Sequence, residues 1–352
     1  MLELFQPDGA FEALEAYLEE ELWGYADREA DLFLHYGLSQ AIRRDAAPPP
    51  PEPCELPLLA SRVRRVDTTR KRTSDRVSLP RFRIGPWEST WPDEEYLGAV
   101  EKVRAAIARG DVYQVNLVRH LSAPFGGDAA TLAPALAPLR PLHPRPFLGD
   151  GWAVVSASPE HLLSRRGRRV RTCPIKGTRP AGIPVEGEKD AAEHVMIVDL
   201  ERNDLSRVCE PGSVRWPELM AERPLAGVEH LVSTVEGTLR EEVGLAELLA
   251  AVFPGGSITG APKIAAVDLI AALEPGGRGA SMGALGTVHA NGDLDLALTI
   301  RTFAVAAGRI HLWVGGGIVW DSDAEAELAE TRTKAAPLLA LLRAPLPEPV
   351  HA

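Results

Sequence analysis

Short turns between strand-like segments constrain the fold of this chain more than any other feature. In its last third, residues 282–289, 294–304 and 309–314 carry strand patterns, and the turns at 291–293 (Asn-Gly-Asp) and 307–308 (Ala-Gly) that join them are brief. Such connections join antiparallel strands, because a parallel pair needs a crossover of roughly a dozen residues or more. The sequence therefore predicts an antiparallel meander.

Helix-like segments are interleaved with the strands. Residues 11–22 and 264–273 each place apolar side chains on one stripe, and residues 191–205 and 321–342 also have helical patterns. Since short-linked strands and helices do not alternate as regular βαβ units, the pattern favours the α+β class.

The composition excludes several classes of protein. In 352 residues, 38 Lys+Arg against 49 Asp+Glu give a net charge of −11, which disfavours binding to nucleic acid or an anionic membrane. There is no run of about 18 apolar residues and no basic leader. The 3 cysteines lack metal-binding spacing and suit a reducing compartment. We therefore expect a cytoplasmic protein that does not span a membrane.

One segment is predicted to connect two regions. The run AAPPPPEPC (46–54) cannot form a helix or a central strand, and SRVRRVDTTRKRTSDR (61–76) is polar and cationic. We interpret residues 46–80 as a linker or exposed loop.

Residues 152–180 predict a strand that leads into a hairpin. With the turn at Gly167 and Arg168, the numbers of paired residues sum to about 335 or 336. Glu160 then lies opposite Ile175 or Lys176, so local geometry alone predicts a carboxyl group close to an amine.

The final helix carries a second charged group. Glu327, Glu330 and Lys334 share one helical face. Alone, such a face is typical of a solvated helix with an i,i+4 ion pair. The other interpretation is a pair of hard oxygen ligands for Mg²⁺ beside an ammonium group. Gly315–Gly317, predicted as a turn before this helix, would present backbone N–H groups to an anion.

Other motifs and residues allow more than one interpretation when each is considered alone. GGSITGAPK (255–263) fails the P-loop pattern because Pro262 precedes Lys263, which leaves a capped helix start or an anion-binding turn. Arg301 is either a surface residue or a bidentate partner for a carboxylate. Taken alone, His230 would be interpreted as a structural histidine and Glu193 as a solvated helix residue.

Seven motifs in order resemble the chorismate-utilising enzymes. They are PIKGTRP (174–180), KDAAEHVMIVDLERNDL (189–205), GVEHLVSTVEGTL (227–239), FPGGSITGAPK (253–263), LTIRTF (298–303), GGGIV (315–319) and ELAETRTK (327–334). The resemblance implies a large antiparallel-sheet α/β sandwich with a shortened N-terminal region. It implies a truncated first region at 1–85, a chorismate-binding catalytic domain at 86–345 and a tail at 346–352.

Two positions indicate the reaction within this family. Isochorismate and salicylate synthases carry a lysine base where this chain has Gln114, which cannot activate water. Anthranilate synthases read P-I-A-G-T where this chain has Lys176, a lysine typical of aminodeoxychorismate synthases. The resemblance therefore implies amination of chorismate at C4 to 4-amino-4-deoxychorismate, a step of p-aminobenzoate and folate biosynthesis. Anthranilate synthase component I and a non-catalytic chorismate-binding regulatory subunit are the alternatives.

The resemblance also implies roles for single residues. Lys176 would attack the ring and form a covalent intermediate, and Glu160 would protonate the leaving hydroxyl. The implied ligands of Mg²⁺ are Glu193, Glu327 and Glu330. The implied substrate-binding residues are Gln114, Thr178, His230, Lys263, Arg301, Gly315, Gly316, Gly317 and Lys334.

The resemblance also implies partner proteins, and this chain differs from the family pattern at two positions. No cysteine lies in a glutaminase-like setting, so ammonia would come from a separate glutamine amidotransferase subunit, component II. A separate aminodeoxychorismate lyase would act downstream. Ser281 and Ala181 replace an aromatic residue and an arginine that are usual in the family.

Overall fold

The computed structural model of the protein describes residues 1–66, 81–180, 188–225 and 228–342. Its helices are α1 (Ala10–Glu21), α2 (Asp93–Arg109), α3 (Leu132–Leu136), α4 (Glu188–Ser206), α5 (Leu245–Val252), α6 (Lys263–Leu273) and α7 (Ala324–Leu341). Its strands are β1 (Leu2–Leu4), β2 (Arg28–Leu34), β3 (Leu59–Arg65), β4 (Phe82–Ile84), β5 (Glu88–Ser89), β6 (Gln114–Gly127), β7 (Phe147–Leu148), β8 (Trp152–Ser156), β9 (His161–Arg166), β10 (Arg169–Cys173), β11 (Ile175–Pro180), β12 (Arg215–Leu225), β13 (Val228–Thr238), β14 (Gly260–Ala261), β15 (Ala284–His289), β16 (Leu294–Leu298), β17 (Thr302–Ala306) and β18 (Arg309–Ile318).

The described strands form two sheets with antiparallel pairing. The first sheet has the order β1-β3-β2-β15-β16-β9-β10-β13-β11, and β12 also pairs with β13. The second has the order β14-β6-β18-β17-β8-β7, and β4 and β5 also pair with β6. Sheets of this kind together with helices confirm the predicted α+β class. No helix in the described ranges is both long enough and apolar enough to cross a bilayer.

The largest apolar core joins the two sheets. Leu32, Leu285 and Leu296 of the first sheet belong to one buried cluster with Val154 and Trp313 of the second. Leucines of α1 and α5 belong to the same cluster. Burying this apolar surface stabilises the sandwich at about 25 cal/mol per Å² removed from water. The shared core therefore fixes the position of the two sheets relative to each other.

The linker interpretation is wrong for residues 59–65. These residues form β3, which pairs with β1 on one side and with β2 on the other. Two arginines of the run have carboxylate partners: Arg64 forms ion pairs with Glu29 and Asp31 of β2, and Arg65 forms one with Asp27. Cross-strand pairs of opposite charge stabilise a strand whose own residues look unfavourable.

The predicted meander is wrong at its middle strand. The segment 294–304 divides into β16, which pairs with β15 in the first sheet, and β17, which pairs with β18 in the second. Arg301 lies at the break with φ of 50°, in the left-handed region. The chain crosses between sheets here because one continuous strand could not bury its apolar residues in both.

The predicted hairpin is confirmed. Arg169 pairs with Arg166 and Arg171 pairs with Ser164, so the partner numbers sum to 335 in both cases. An irregularity between Arg171 and Cys173 then shifts the register by one residue. Both β10 and the following strand, β11, pair with the neighbouring strand β13 in one continuous register. Lys176 pairs with Leu231 of β13, just before an irregularity between Lys176 and Thr178.

Candidate active site

The glycine run predicted as a turn lies inside strand β18. Gly315, Gly316 and Gly317 pair with Val118, Leu117 and Asn116 of β6. The expectation of an anion site at a helix N-terminus is therefore wrong, since α7 begins later, at Ala324. Glycine within a strand often marks a place where other groups approach the backbone closely, and that is its role here.

Gly316 leaves space for charged side chains of α7. A Cβ atom on Gly316 would lie 3.2 Å from Glu327 Oε2, 3.4 Å from Glu330 Oε1 and 3.5 Å from Lys334 Nζ. The predicted i,i+4 pair is confirmed, with Lys334 Nζ 2.5 Å from Glu330 Oε1. Lys334 also donates to the carbonyl oxygen of Gly315 at 2.9 Å. The charged face of α7 thus lies against β18.

Gly317 provides the same kind of space for α4 and β6. A Cβ atom on Gly317 would overlap Gln114 Nε2 and would lie 2.9 Å from Glu193 Oε1. Gln114 Nε2 donates to Glu193 Oε1 at 2.7 Å, and Lys176 Nζ donates to the same oxygen at 2.6 Å. Burial alone would raise the pKa of Glu193, but the Lys176 charge and the two donors lower it. Glu193 is therefore held as a carboxylate beside Lys176.

Glu160 is a buried carboxyl group beside Lys176. Its side chain accepts a hydrogen bond from Ser257 Oγ at 2.7 Å and another from the backbone N–H of Ile175. Burial raises the pKa of Glu160, while these donors and the charges of Lys176 and Arg301 oppose the rise. The predicted proximity of Glu160 and Lys176 is confirmed. Their catalytic roles stay predictions.

Arg301 is held at the place where the two sheets separate. Burial lowers the pKa of its guanidinium, and the Glu160 carboxyl group acts in the opposite direction. The left-handed backbone at this residue follows from the crossing between sheets described above. Local strain of this kind often accompanies functional positions. Here it brings a cation next to the buried acid.

The two glycines are bordered by carboxylates that suit a hard cation. Glu193 adjoins Gly317, and Glu327 and Glu330 adjoin Gly316. Gln114 Oε1 is buried and lacks a hydrogen-bond partner within the described ranges. Oxygen donors of these types are those that Mg²⁺ prefers. However, no group of three acidic or histidine side chains among the described residues is already arranged as a metal site. The donor chemistry fits Mg²⁺, and its binding stays a proposal.

Three predicted site residues lie elsewhere or are only partly described. Lys263 Nζ donates to Asp204 Oδ2 at 2.6 Å and to the carbonyl oxygen of Val252 at 3.4 Å. Its ammonium group therefore has a buried structural partner, and it makes no hydrogen bond to those predicted residues whose side chains the structure describes. Thr178 and His230 are backbone partners in the β11/β13 ladder, and their side chains lie outside the described part. Ala181 lies outside it too.

Sequence reasoning missed several polar residues of this region. Ser257 was seen only as part of a glycine-rich motif, and Glu201 and Thr172 gave no signal. Thr172 Oγ1 donates to Glu201 Oε2 at 2.8 Å, and both side chains are buried. Ser281 is also fully buried and donates to the carbonyl oxygen of Thr299, so it occupies an interior position. Tertiary packing, not local pattern, places these groups.

A comparison with known protein families identifies the family of this chain. A family profile described as chorismate binding enzyme matches residues 49–340. The chain belongs to this family. The match begins within the segment interpreted as a linker, in agreement with the strand found there, and it includes every residue of the candidate active site.

Curated relatives of the family have two different names. The anthranilate synthase component 1 of Streptomyces coelicolor is 43% identical over 273 residues, which are 73% of this chain and 53% of the relative. The aminodeoxychorismate synthase component 1 of Klebsiella aerogenes is 42% identical over 263 residues, 70% of this chain and 58% of the relative. The chain thus matches little more than half of each relative. Identity does not separate the two activities.

Solved structures support the fold. The anthranilate synthase component I of Streptococcus pneumoniae superposes with a TM-score of 0.79 at 27% identity, covering 92% of this chain and 84% of that chain. An isochorismate synthase from Bacillus anthracis gives a TM-score of 0.72 at 23% identity, covering 97% of this chain and 90% of that chain. The second likeness concerns the fold alone.

Proposed function

We propose that this chain is the synthase component of an aminodeoxychorismate synthase, which aminates chorismate at C4 with ammonia. The observation that carries the proposal is Lys176. Its amine lies in the candidate site, bonded to Glu193 at 2.6 Å and next to the Glu160 carboxyl group. An amine at this position supplies a nucleophile that the alanine of a P-I-A-G-T motif could not supply.

The first chemical step is an attack by Lys176. The amine must lose a proton to act as a nucleophile, and that proton passes to solvent before the attack and returns when the lysine is displaced. The lysine nitrogen then bonds to C2 of the ring as the C4 hydroxyl leaves. Glu160 protonates that hydroxyl, which departs as water. Ammonia adds at C4, loses a proton and displaces the lysine, so no net proton is consumed.

The surrounding charges would hold a dicarboxylate substrate. Arg301 is a cation next to Glu160, and Lys334 adjoins Gly316. A guanidinium binds a carboxylate through two parallel hydrogen bonds. Glu193, Glu327 and Glu330 would hold Mg²⁺, which would neutralise a substrate carboxylate when bound. The family name, chorismate binding enzyme, supports chorismate as that substrate.

The proposal implies other proteins. Relatives named component 1 support a second component, and we propose that it is a glutamine amidotransferase that supplies ammonia. Release of pyruvate from the product would be the task of a separate lyase. The cytoplasm is the expected compartment for this pathway.

The decisive experiment identifies the product. The protein is incubated with chorismate, Mg²⁺ and an ammonium salt, and the products are analysed by mass spectrometry and fluorescence. We expect 4-amino-4-deoxychorismate, which yields p-aminobenzoate once a lyase is added. Fluorescent anthranilate formed without a lyase would contradict the proposal and would support the second candidate, anthranilate synthase component I. The Streptomyces coelicolor relative is the observation that favours this second candidate.

Replacing Lys176 by alanine tests the covalent role. We expect the rate of C4 amination to fall by about 10³-fold or more, since the nucleophile is removed. Lys102→Ala, on the exposed face of α2, is the matched control and should keep full activity. Full activity of Lys176→Ala would exclude the covalent step. Tight chorismate binding without any product from the unmodified protein would instead favour a regulatory subunit.

A further inference from the structure

Two side chains complete the edge of β6 that lies opposite β18. Beside β14, the N–H of Asn116 donates to the carbonyl oxygen of Thr259 at 2.8 Å, and the chain preceding Thr259 forms a 3₁₀ helix, Gly256–Ile258. The carbonyl oxygen of Asn116 accepts a hydrogen bond from Arg278 Nη2 at 2.6 Å. The N–H of Val118 donates to Glu274 Oε1 at 2.9 Å. Because unpaired backbone groups are costly in an interior, these side chains take the place of a neighbouring strand.

Arg278 and Glu274 form a buried bidentate pair. The Arg278 side chain is 1% exposed, its Nε donates to Glu274 Oε2 at 2.9 Å and its Nη2 donates to Glu274 Oε1 at 2.7 Å. The guanidinium also lies over the ring of Tyr36, 4.7 Å from the ring centre. A planar guanidinium held by two parallel hydrogen bonds keeps its other N–H groups in fixed directions. The pair is therefore a rigid hydrogen-bond donor inside the protein.

The other terminal nitrogen of Arg278 contacts the turn that carries Ser257. Arg278 Nη1 donates to the carbonyl oxygen of Ile258 at 2.9 Å. Ser257, the preceding residue, donates from Oγ to Glu160 Oε1 at 2.7 Å. Because Nη1 and Nη2 belong to one planar group, the carbonyl of Ile258 is fixed relative to that of Asn116 in β6. The guanidinium thereby sets the position of the turn, and with it the position of the Ser257 hydroxyl group.

We propose that Arg278 is a positioning residue that acts through Ser257 to orient the Glu160 carboxyl group for protonation of the leaving hydroxyl. The inference rests on the proposed function, because that function assigns Glu160 as the acid. The nitrogens of Arg278 are engaged by Glu274 and by two backbone carbonyl groups. Arg278 therefore acts on the reaction without binding the substrate.

Arg278→Lys removes the planar group and keeps a positive charge beside Glu274. An ammonium group is a point charge on a flexible chain and cannot hold a carboxylate and two carbonyl oxygens in one plane. With Ser257 less well placed, we expect the maximal kcat per folded protein to fall about 10-fold. The reaction contains chorismate, Mg²⁺ and an ammonium salt, and its rate is measured as loss of chorismate, whichever amine product forms.

The pH dependence of kcat separates positioning from a loss of stability. The Ser257 hydrogen bond favours the ionised form of Glu160, so weakening this bond should raise the pKa of Glu160. An acid must be protonated to act. The fall of kcat at high pH should therefore move about one pH unit upward in Arg278→Lys and in Ser257→Ala. Partial unfolding would lower kcat without this shift. The variants leave the other charged or titratable groups that face Glu160 in place: Lys176, Arg301 and Glu201.

A double variant tests whether Arg278 acts through Ser257. In Arg278→Lys/Ser257→Ala, the pH shift should be no larger than in Ser257→Ala alone, since the hydroxyl group that transmits the change is absent. Arg119→Lys is the matched control. Arg119 is a buried cation of β6, 6% exposed, and it donates to Asp93 at 2.6 Å and not to the turn of Ser257. Its substitution should leave the pH dependence of kcat unchanged.

Two further measurements remain if a protein fails to fold or to react. If Arg278→Lys does not fold, Glu274→Gln loosens the same guanidinium from its other side and should shift the pH dependence in the same direction. If the unmodified protein does not consume chorismate, the proposed function is contradicted. The pKa of Glu160, measured by NMR of isotopically labelled glutamate and assigned with Glu160→Gln, then tests the positioning by itself and should rise in Arg278→Lys.

Four results would overturn the inference. They are an unshifted pH dependence in Arg278→Lys, fully additive shifts in the double variant, an equal shift in Arg119→Lys, and an unchanged pKa of Glu160 in the NMR measurement.

Discussion

Gly317→Ala should disable the candidate site without unfolding the protein. The new methyl group would overlap Gln114 Nε2 and lie 2.9 Å from Glu193 Oε1, so Gln114 must move away. That movement breaks its hydrogen bond to the Glu193 carboxylate, which is 2.7 Å long. A hydrogen bond to a charged group contributes about 1.5–3 kcal/mol. If this bond positions Glu193 for the reaction, kcat/KM for chorismate should fall by about 10- to 150-fold.

Gly126→Ala is the matched control, because it makes the same change in the paired strand β6, where a Cβ atom meets nothing within 4 Å. Its activity and thermal unfolding should match those of the unmodified protein. The double variant Gly317→Ala/Gln114→Ala supplies a further check: if the overlap with Gln114 is the cause, the two effects should not add. Unchanged kcat/KM in Gly317→Ala, or fully additive losses, would refute the argument.

Two further predictions concern stability. Glu15 accepts a hydrogen bond from the backbone N–H of Leu245 at 2.5 Å and so caps the start of α5 from another helix, α1. Glu15→Gln should lower the free energy of unfolding in urea by about 1 kcal/mol, and Glu19→Gln, on an exposed position of α1, should not. Burial lowers the pKa of His120 to about 3 and that of His311 to about 4, from an ordinary value of 6.5, so the unfolded chain binds protons that the folded protein does not. The free energy of unfolding should therefore fall below pH 6.5, by about 2 kcal/mol per histidine at about pH 5. An equal free energy of unfolding in urea at neutral pH and at pH 5 would contradict this.

Local pattern was sufficient where neighbouring residues decide the structure. The hairpin around Gly167 was predicted in register, and from it the proximity of Glu160 and Lys176 followed. The residue patterns of α1, α4, α6 and α7 were also sufficient to predict a helix at each of these places. These features depend on turn geometry and on amphipathic spacing, both of which can be read along the chain.

Local pattern was insufficient where distant residues decide the structure. The residues around Gly316 and Gly317 come from β6, α4 and α7, and only the resemblance to a family predicted that they meet. The strand β3 was missed because its charges are balanced by Glu29 and Asp31 on another strand. The break at Arg301 was missed because it depends on a choice between two sheets. Ser257 and Glu201 depend on packing that no motif revealed.

The pairing of β2 with β15 has a consequence for how this protein can be divided. Six residue pairs, from Leu34–Ala284 to Glu29–His289, join the first strands of the chain to a strand near its end. A fragment that began at residue 86 would leave one side of β15 with unpaired N–H and C=O groups beside an apolar core. Such an open edge is a template for pairing with other chains, so the fragment would tend to aggregate. The N-terminal strands thus satisfy the backbone hydrogen bonds of β15 and cover this edge of it.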